Sequence, residues 1–418
     1  MFIKMIVEPF DNAQNIMAVA PNNTKLSLSE YAGAVVQDIL VQPDYLCTES
    51  SVFPSTKVII GNKFCYNRTK MKKLPDMTNV VYIGWGFCRE CTNLKELPSM
   101  PNLEEVDSNF CMYTNIKSCP DMPKLKTIDN DFLSGCTYLT HVGSLAKITN
   151  TYSNFCANCT SLKSIDDLSS VITIGENFCK DCPSLTHLPP LPNVTTIGAH
   201  FCLTCVVLKS VPTLPKITHI GNNFCYNCIG LETIEDISNV TAIGTCFCES
   251  CVRLKIVPDI PNVKTIHMEF CNRCISLERA GDMSSVEHIG NDFFSKCSKL
   301  ISLGNLSKVV SIGHNFCLAC ISLDTIPKLP EIIKIGDGFC TKCTALTTIE
   351  DVSNAAIIGK NFCIGCELLI TSPLLNKIVI VGDDFCTNTG VTRADFRRAR
   401  KITSDRSLIE LYHIESDS

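Results

Sequence analysis

The residues best suited to chemistry are cysteines spaced three apart. Cys-x-x-Cys occurs at Cys88/Cys91, Cys156/Cys159, Cys179/Cys182 and onward to Cys363/Cys366, and all but three of the 28 cysteines (Cys47, Cys119 and Cys246) fall in one of these two places. Thiolates in that pattern can hold zinc when two pairs converge. A single distinguished pair can carry disulfide exchange in a strand–helix–strand setting. Facing pairs can form disulfides if their Cα atoms lie within bridging reach. Reduced and buried, the same residues behave as small hydrophobes. No histidine joins the pattern, and it recurs along the chain where a metal or redox site would need it once or twice. Leu133 and Phe294 stand where the first cysteine is expected, which suits a packing site and not a ligand site. The expectation is therefore buried free thiols in two columns, with no metal and no cofactor; disulfides within or between copies of the motif are the remaining alternative.

Other chemistry is sparse. No Ser/His/Asp arrangement, phosphate-binding glycine loop or His-Glu-x-x-His segment is visible, and the 8 histidines are scattered. The expectation is a protein that is not an enzyme. Charged residues do recur in register: Lys117, Lys163, Lys209 and Lys255 are 46 residues apart, and Asp236, Asp259 and Asp282 are 23 apart. Such columns can keep an exposed face solvated, or serve as a polar contact surface for a protein partner. Trp85 is the only tryptophan. It is either an exposed contact anchor or an end-of-array packing residue.

What must position these residues is a repeat. Phenylalanine returns at 64, 87, 110, 132, 155, 178, 201, 224, 247, 270, 293, 316, 339, 362 and 385, every 23 residues except for one interval of 22. Counting that phenylalanine as position 1, apolar residues recur at 8, 11, 14, 17 and 20, cysteines at 2 and 5, and glycine in most copies at 21. The lysine column falls at position 9 and the aspartate column at position 13. A spacing of three over so long a run fits neither an amphipathic helix nor a two-faced strand. It fits a coil of short straight segments whose apolar side chains meet inside, each coil closed by its neighbours. Glycine at 21 is expected at a turn with positive φ. Proline at position 12, as in Pro189 and Pro258, is expected to end strand pairing there. The short interval, Phe110 to Phe132, drops a residue between Cys111 and Ile116 and loses the second cysteine, so coils near 110–155 are expected to be the least regular.

Residues 1–56 and 391–418 lie outside the frame. Phe2–Val7 and Asn15–Ala20 read as extended, and a helix is expected from Ser27 or Ser29 to about Val41, together forming an N-terminal cap. The basic run Arg397–Lys401 and the segment Ser407–Tyr412 read as a helical C-terminal cap. The net charge of −5 gives no general reason to expect nucleic acid, and no apolar run is long enough to span a bilayer as a helix. The first nine residues lack the apolar core of an export signal. Location in the cytoplasm or another reducing intracellular compartment is expected, with a cell surface or a larger particle as the alternative.

The frame Cys-x-x-Leu-x-x-Leu-Pro-x-Leu-x-x-Val-x-x-Ile-Gly-x-x-Phe, clear from Cys182 to Phe201, resembles the BspA-like class of leucine-rich repeat. Cys228 to Phe247 carries the variant with Glu235-Asp236-Ile237-Ser238 in place of the proline segment. The resemblance implies a right-handed curved solenoid of about fifteen coils over 57–390, with short parallel strands. It also implies a binding or adhesion scaffold. Two departures stand out: Asn or Asp often precedes the phenylalanine where the class has Ala, and there are two cysteines where it has one. The resulting expectation is non-catalytic protein binding through one face, with Lys117, Lys163, Lys209, Lys255, Asp236, Asp259, Asp282 and Trp85 as candidate contacts. The alternative is a structural or assembly component that packs against copies of itself or a larger particle, or a surface adhesin.

Overall fold

The computed structural model describes residues 57–371, 380–382 and 384–391, together with the backbone of Met5–Ile6, Met17–Ala18 and Ile39–Val41. Its contacts divide the chain into two units, Met1–Cys205 and Val206–Ser418. Both are stacks of 23-residue coils, and no helix occurs among the described residues.

Most strands are two residues long, because a coil that must close on itself leaves few residues between turns. In the second unit the longer ladder uses positions 19 and 20: His219–Ile220, Ala242–Ile243, Thr265–Ile266, His288–Ile289, Ser311–Ile312, Lys334–Ile335, Ile357–Ile358 and Ile380–Val381, all parallel. A second, interrupted ladder uses positions 10 and 11, pairing Ser210–Val211 with Thr233–Ile234, Ile256–Val257 with Arg279–Ala280, and Thr325–Ile326 with Thr348–Ile349. Pairing residues 23 apart fixes the register, so position 20 is always inward and position 19 outward. The first unit has the same two ladders, with Val58–Ile60, Val80–Ile83 and Glu105–Val106 at its start and Ser118–Cys119, His141–Val142 and Ser164–Ile165 in the second position.

The interior follows the apolar frame. In the coil beginning at Phe247, the side chains of Leu254, Val257, Ile260, Val263 and Ile266 are at most 1% exposed. The phenylalanine rings form a stack within each unit, for example 5.2 Å and 5° between Phe155 and Phe178, and 5.1 Å and 11° between Phe247 and Phe270. That separation is the strand spacing of about 4.8 Å with a small tilt, so ring stacking and backbone pairing impose the same repeat.

Positive φ does not fall on the position-21 glycines. It falls on position 23, as at Asn109, Asn154, Asn177, Asn223 and Asn315, and on position 4, as at Asn158, Asn227 and Arg273. Asparagine tolerates the left-handed region better than other Cβ-bearing residues, which accounts for the Asn and Asp before the phenylalanine. The position-21 glycine serves close approach instead: a Cβ on Gly198 would meet the Glu176 nitrogen at 2.8 Å, and one on Gly290 the His267 carbonyl carbon at 2.7 Å. Tyr152, which occupies position 21, is the departure, with φ of 49°.

The irregularity expected near the short coil has a definite form. Cys88 and Cys111 donate their N–H backward, to Phe64 O and Phe87 O, whereas Leu133 and Cys156 donate forward, to Phe155 O and Phe178 O. The ladder through the Phe–Cys turn thus reverses at the 22-residue coil, and Cys65, Cys88 and Cys111 carry positive φ on its early side only. The position-19/20 ladder also thins there to single bridges at Thr127 and Asn150.

At the N-terminal side, Ile39–Val41 is a strand, parallel to Val58–Ile60, and not the end of a helix. The apolar run there satisfies either period, and the open edge of the first coil supplies a row of backbone partners. The remainder of the expected helix lies outside the described residues, as does the C-terminal segment beyond Val391. Met5–Ile6 pairs antiparallel with Met17–Ala18.

Candidate functional site

The two cysteine columns are buried and have different tasks. A position-2 carbonyl accepts the N–H of position 5 in its own coil and the thiol of position 5 in the next. Cys248 O takes Cys251 N at 3.2 Å and Cys274 Sγ at 3.0 Å. The same bond recurs from Cys182 to Cys156 O, Cys205 to Cys179 O, Cys297 to Cys271 O and Cys343 to Cys317 O. Cys159 donates to Leu133 O and Cys320 to Phe294 O, so the residue at position 2 is free to vary while its carbonyl is not. In the short coil Thr114 takes position 5, its hydroxyl donating to Cys111 O at 2.9 Å. Burial pushes the position-2 thiols of Cys88, Cys156, Cys271 and Cys317 well above the ordinary range, as it does the donor thiols of Cys182 and Cys297 at position 5, which keeps them protonated and poor nucleophiles.

The polar columns face outward. Lys117 and Lys163 alternate with Thr140 and Thr186 in the first unit, and backbone bonds run from Thr140 N to Lys117 O and from Lys163 N to Thr140 O. In the second unit Lys209 and Lys255 alternate with Glu232 and Glu278; Lys209 Nζ lies 3.2 Å from Glu232 Oε1. The aspartate column supports turns. Asp236 Oδ1 accepts the Ser238 N–H, Asp259 Oδ1 the Asp282 N–H, and Asp282 Oδ1 the Ser284 N–H. The Ser238 amide holds the Asp236 carboxyl below its ordinary value. Trp85, 36% exposed, sits at position 22 with the Lys63 ammonium 4.9 Å from its ring.

Position 6, between the thiol column and the buried Leu at position 8, separates the units. The first unit carries Thr69, Thr92, Thr137, Thr160 and Pro183 there, and Thr160 Oγ1 donates to Thr137 O. The second carries the apolar-rich run Val206, Ile229, Val252, Ile275, Ser298 and Ile321, followed by Thr344 and Glu367, with Ile229, Ile275 and Ile321 exposed by 43%, 47% and 48%. At one strand spacing per coil this apolar ridge is about 25 Å long. The column arithmetic that found the lysines would have found it too, since the change from Thr to Ile and Val is written in the sequence.

Residues 58–392 match the BspA type Leucine rich repeat region (6 copies), in four overlapping stretches at 58–186, 126–255, 172–301 and 264–392. The chain belongs to the BspA-type leucine-rich repeat family. Among solved structures it is similar to a leucine-rich repeat protein from Bacteroides ovatus, with 21% identity and a TM-score of 0.59 over 77% of this chain and 83% of that one. It also matches a leucine-rich repeat protein from Eubacterium ventriosum, with 19% identity and a TM-score of 0.42 over 68% and 82% of the two chains. A third match is a leucine-rich cell surface protein from Faecalibacterium prausnitzii, with 19% identity and a TM-score of 0.41 over 96% and 90%. Comparison with the curated proteins finds no match. The likeness to the Bacteroides protein establishes the shared solenoid fold.

Within the BspA-type frame, positions 23 and 3 flank the Phe–Cys turn; position 23 is polar in most coils, and in three successive coils of the second unit position 3 is acidic or polar as well. Cys246 and Glu269 hold position 23; Glu249, Asn272 and Ser295 hold position 3, where other coils have Leu203, Leu318 or Ile364. Cys246 Sγ lies 3.2 Å from Glu269 Oε2, and Asn272 Nδ2 lies 3.2 Å from Glu249 Oε1. Burial, reinforced by the Glu269 carboxylate, pushes the Cys246 thiol up to about 12, and burial beside Glu269 also raises the Glu249 carboxyl. Sequence reasoning missed this group because its two local pairs, Cys246/Glu249 and Glu269/Asn272, lie 20 or more residues apart, and no short motif contains them.

Proposed function

We propose that this BspA-type chain is a non-catalytic protein-binding scaffold whose principal contact surface is the position-6 ridge of the second unit. The observation that carries the reading is the run Val206, Ile229, Val252, Ile275 and Ile321, interrupted only by Ser298 and with its three isoleucines exposed, in a column that the other unit fills mostly with threonine. Exposed branched apolar side chains along one column favour a macromolecular partner, because covering them releases water over a long strip. Lys209 and Lys255, three positions further along, give the ridge a charged border alternating with Glu232 and Glu278, which adds selectivity more than affinity. Lys117, Lys163 and Trp85 offer secondary contacts on the first unit, and Asp236, Asp259 and Asp282 act through the turns they hold. The thiol-to-carbonyl ladder works only with S–H donors, which favours a reducing compartment.

The test is affinity capture from the native cell with the full chain and with the Ile229→Thr/Ile275→Thr/Ile321→Thr variant. Covering each half-exposed isoleucine contributes about 1 kcal/mol, so the triple change weakens a ridge-bound partner roughly a hundredfold. Equal recovery by both chains would place the contact elsewhere, and loss of a dimer in sedimentation would identify the partner as a second copy.

A further inference from the structure

We propose that Cys246, Glu249, Glu269 and Asn272 form a binding site for a borderline divalent cation such as zinc. Three donor atoms, Cys246 Sγ and one carboxylate oxygen each from Glu249 and Glu269, lie within 4.8 Å of one another. A tetrahedral zinc holding such donors at about 2.0–2.3 Å sets them roughly 3.3–3.8 Å apart, so closing on a cation asks for shifts within side-chain reach. The Asn272 amide faces the same cluster. Its Nδ2 donates to Glu249 Oε1, while its Oδ1, on a residue only 7% exposed, has no hydrogen-bond partner. Ser295 Oγ, next along the same column and 1% exposed, is likewise unpartnered.

Buried polar atoms without partners are uncommon because desolvating them is unfavourable, and two in one column beside paired carboxylates point to a missing electrophile. The column accepts apolar residues such as Leu203, Leu318 and Ile364 as well as polar ones such as Ser134 and Thr341, so the fold itself does not require a carboxylate and an amide in succession there. Glu249 and Glu269 repel each other, and the Arg273 guanidinium is the cation that offsets them. A thiolate with two carboxylates and an amide oxygen is a mixed soft and hard donor set. It suits zinc or cobalt better than magnesium or calcium, which favour oxygen alone. The cluster uses none of the repeated Cys-x-x-Cys thiols, whose position-5 members donate to carbonyls.

Cobalt(II) is the probe, added to the full chain purified metal-free under a non-thiol reductant. The expected result is one equivalent bound with thiolate-to-cobalt charge-transfer absorption, displaced by zinc(II). The expected behaviour of Cys246→Ala is loss of that band, and of Glu249→Gln, at least tenfold weaker binding; Cys386→Ala, at the other half-buried described cysteine, should retain both. Circular dichroism and melting of each variant show that the fold persists. A second readout does not need a substitution: zinc should slow alkylation of Cys246 at least tenfold, read by peptide mass. A cobalt band that survives Cys246→Ala, no saturable binding, or alkylation of Cys246 unchanged by zinc would overturn the proposal and leave a shared proton as the bond between Cys246 and Glu269.

Discussion

The units Met1–Cys205 and Val206–Ser418 have the same interior and different surfaces. Phe155 stacks on Phe178 as Phe247 does on Phe270, and Cys182 reaches Cys156 O as Cys274 reaches Cys248 O, both with rings and atoms at matching distances. Outside, threonine at position 6 gives way to isoleucine and valine, and Lys–Thr alternation at position 9 gives way to Lys–Glu. An interior residue must fit copies of itself on both sides, so a change there is felt twice. A surface residue meets water or a partner and can drift. The comparison teaches where to look for function in a repeat: at columns that vary while the frame does not.

The largest effect that could break the claim of equal interiors is alkaline. The raised thiols ionise in the unfolded chain from about pH 8.5, while the folded state holds them protonated. Their stabilisation is therefore complete below the ordinary thiol range and lost as pH climbs toward the folded values, at about 1.4 kcal/mol per thiol per pH unit. With many thiols per unit, circular dichroism under reductant should show both units melting between roughly pH 9 and 10; a unit that survives would have a different interior. Next in size, Phe155→Ala and Phe270→Ala should each cost about 3–5 kcal/mol in denaturant unfolding, with a difference between them larger than about 1 kcal/mol counting against equivalence. Cys159→Ala and Cys274→Ala remove a donor as well as volume and should cost about 1–3 kcal/mol, whereas Cys271→Leu at position 2 should cost less, because its carbonyl remains. Smallest, the ridge variant Ile229→Thr/Ile275→Thr/Ile321→Thr should change stability by about 0.5 kcal/mol or less per site, since these side chains point into solvent.

The solenoid was legible because burial of the frame is absolute: Leu254, Val257, Ile260, Val263 and Ile266 repeat at a period only a stacked coil can bury. The thiol columns were legible as packing, since Leu133 and Phe294 favour a packing site over a ligand site, but the carbonyl each position-5 thiol serves lies one coil away and has no sequence signature. Glycine at position 21 misled for a related reason. The same residue answers a need for positive φ and a need for room, and only the distance from Gly198 to the Glu176 nitrogen tells them apart. The Asn before Phe, noted as a departure, marked the left-handed turn instead. Ile39–Val41 misled because three apolar residues fit either period, and their partner was the open first coil. At the surface, Lys209 and Asp236 were conspicuous as charges, yet the structure engages them with Glu232 and Ser238. The uncharged change at position 6 was the quieter and more informative column.

A reciprocal exchange tests the functional reading most directly. One variant places isoleucine in the first unit (Thr92→Ile/Thr137→Ile/Thr160→Ile), and the other places threonine in the second (Ile229→Thr/Ile275→Thr/Ile321→Thr), with partner capture measured for both against the parent chain. A ridge in the second unit predicts that both variants stay folded with only small shifts in melting, with capture lost only in the second. Capture that survives the threonine exchange, or falls with the isoleucine exchange alone, would contradict it.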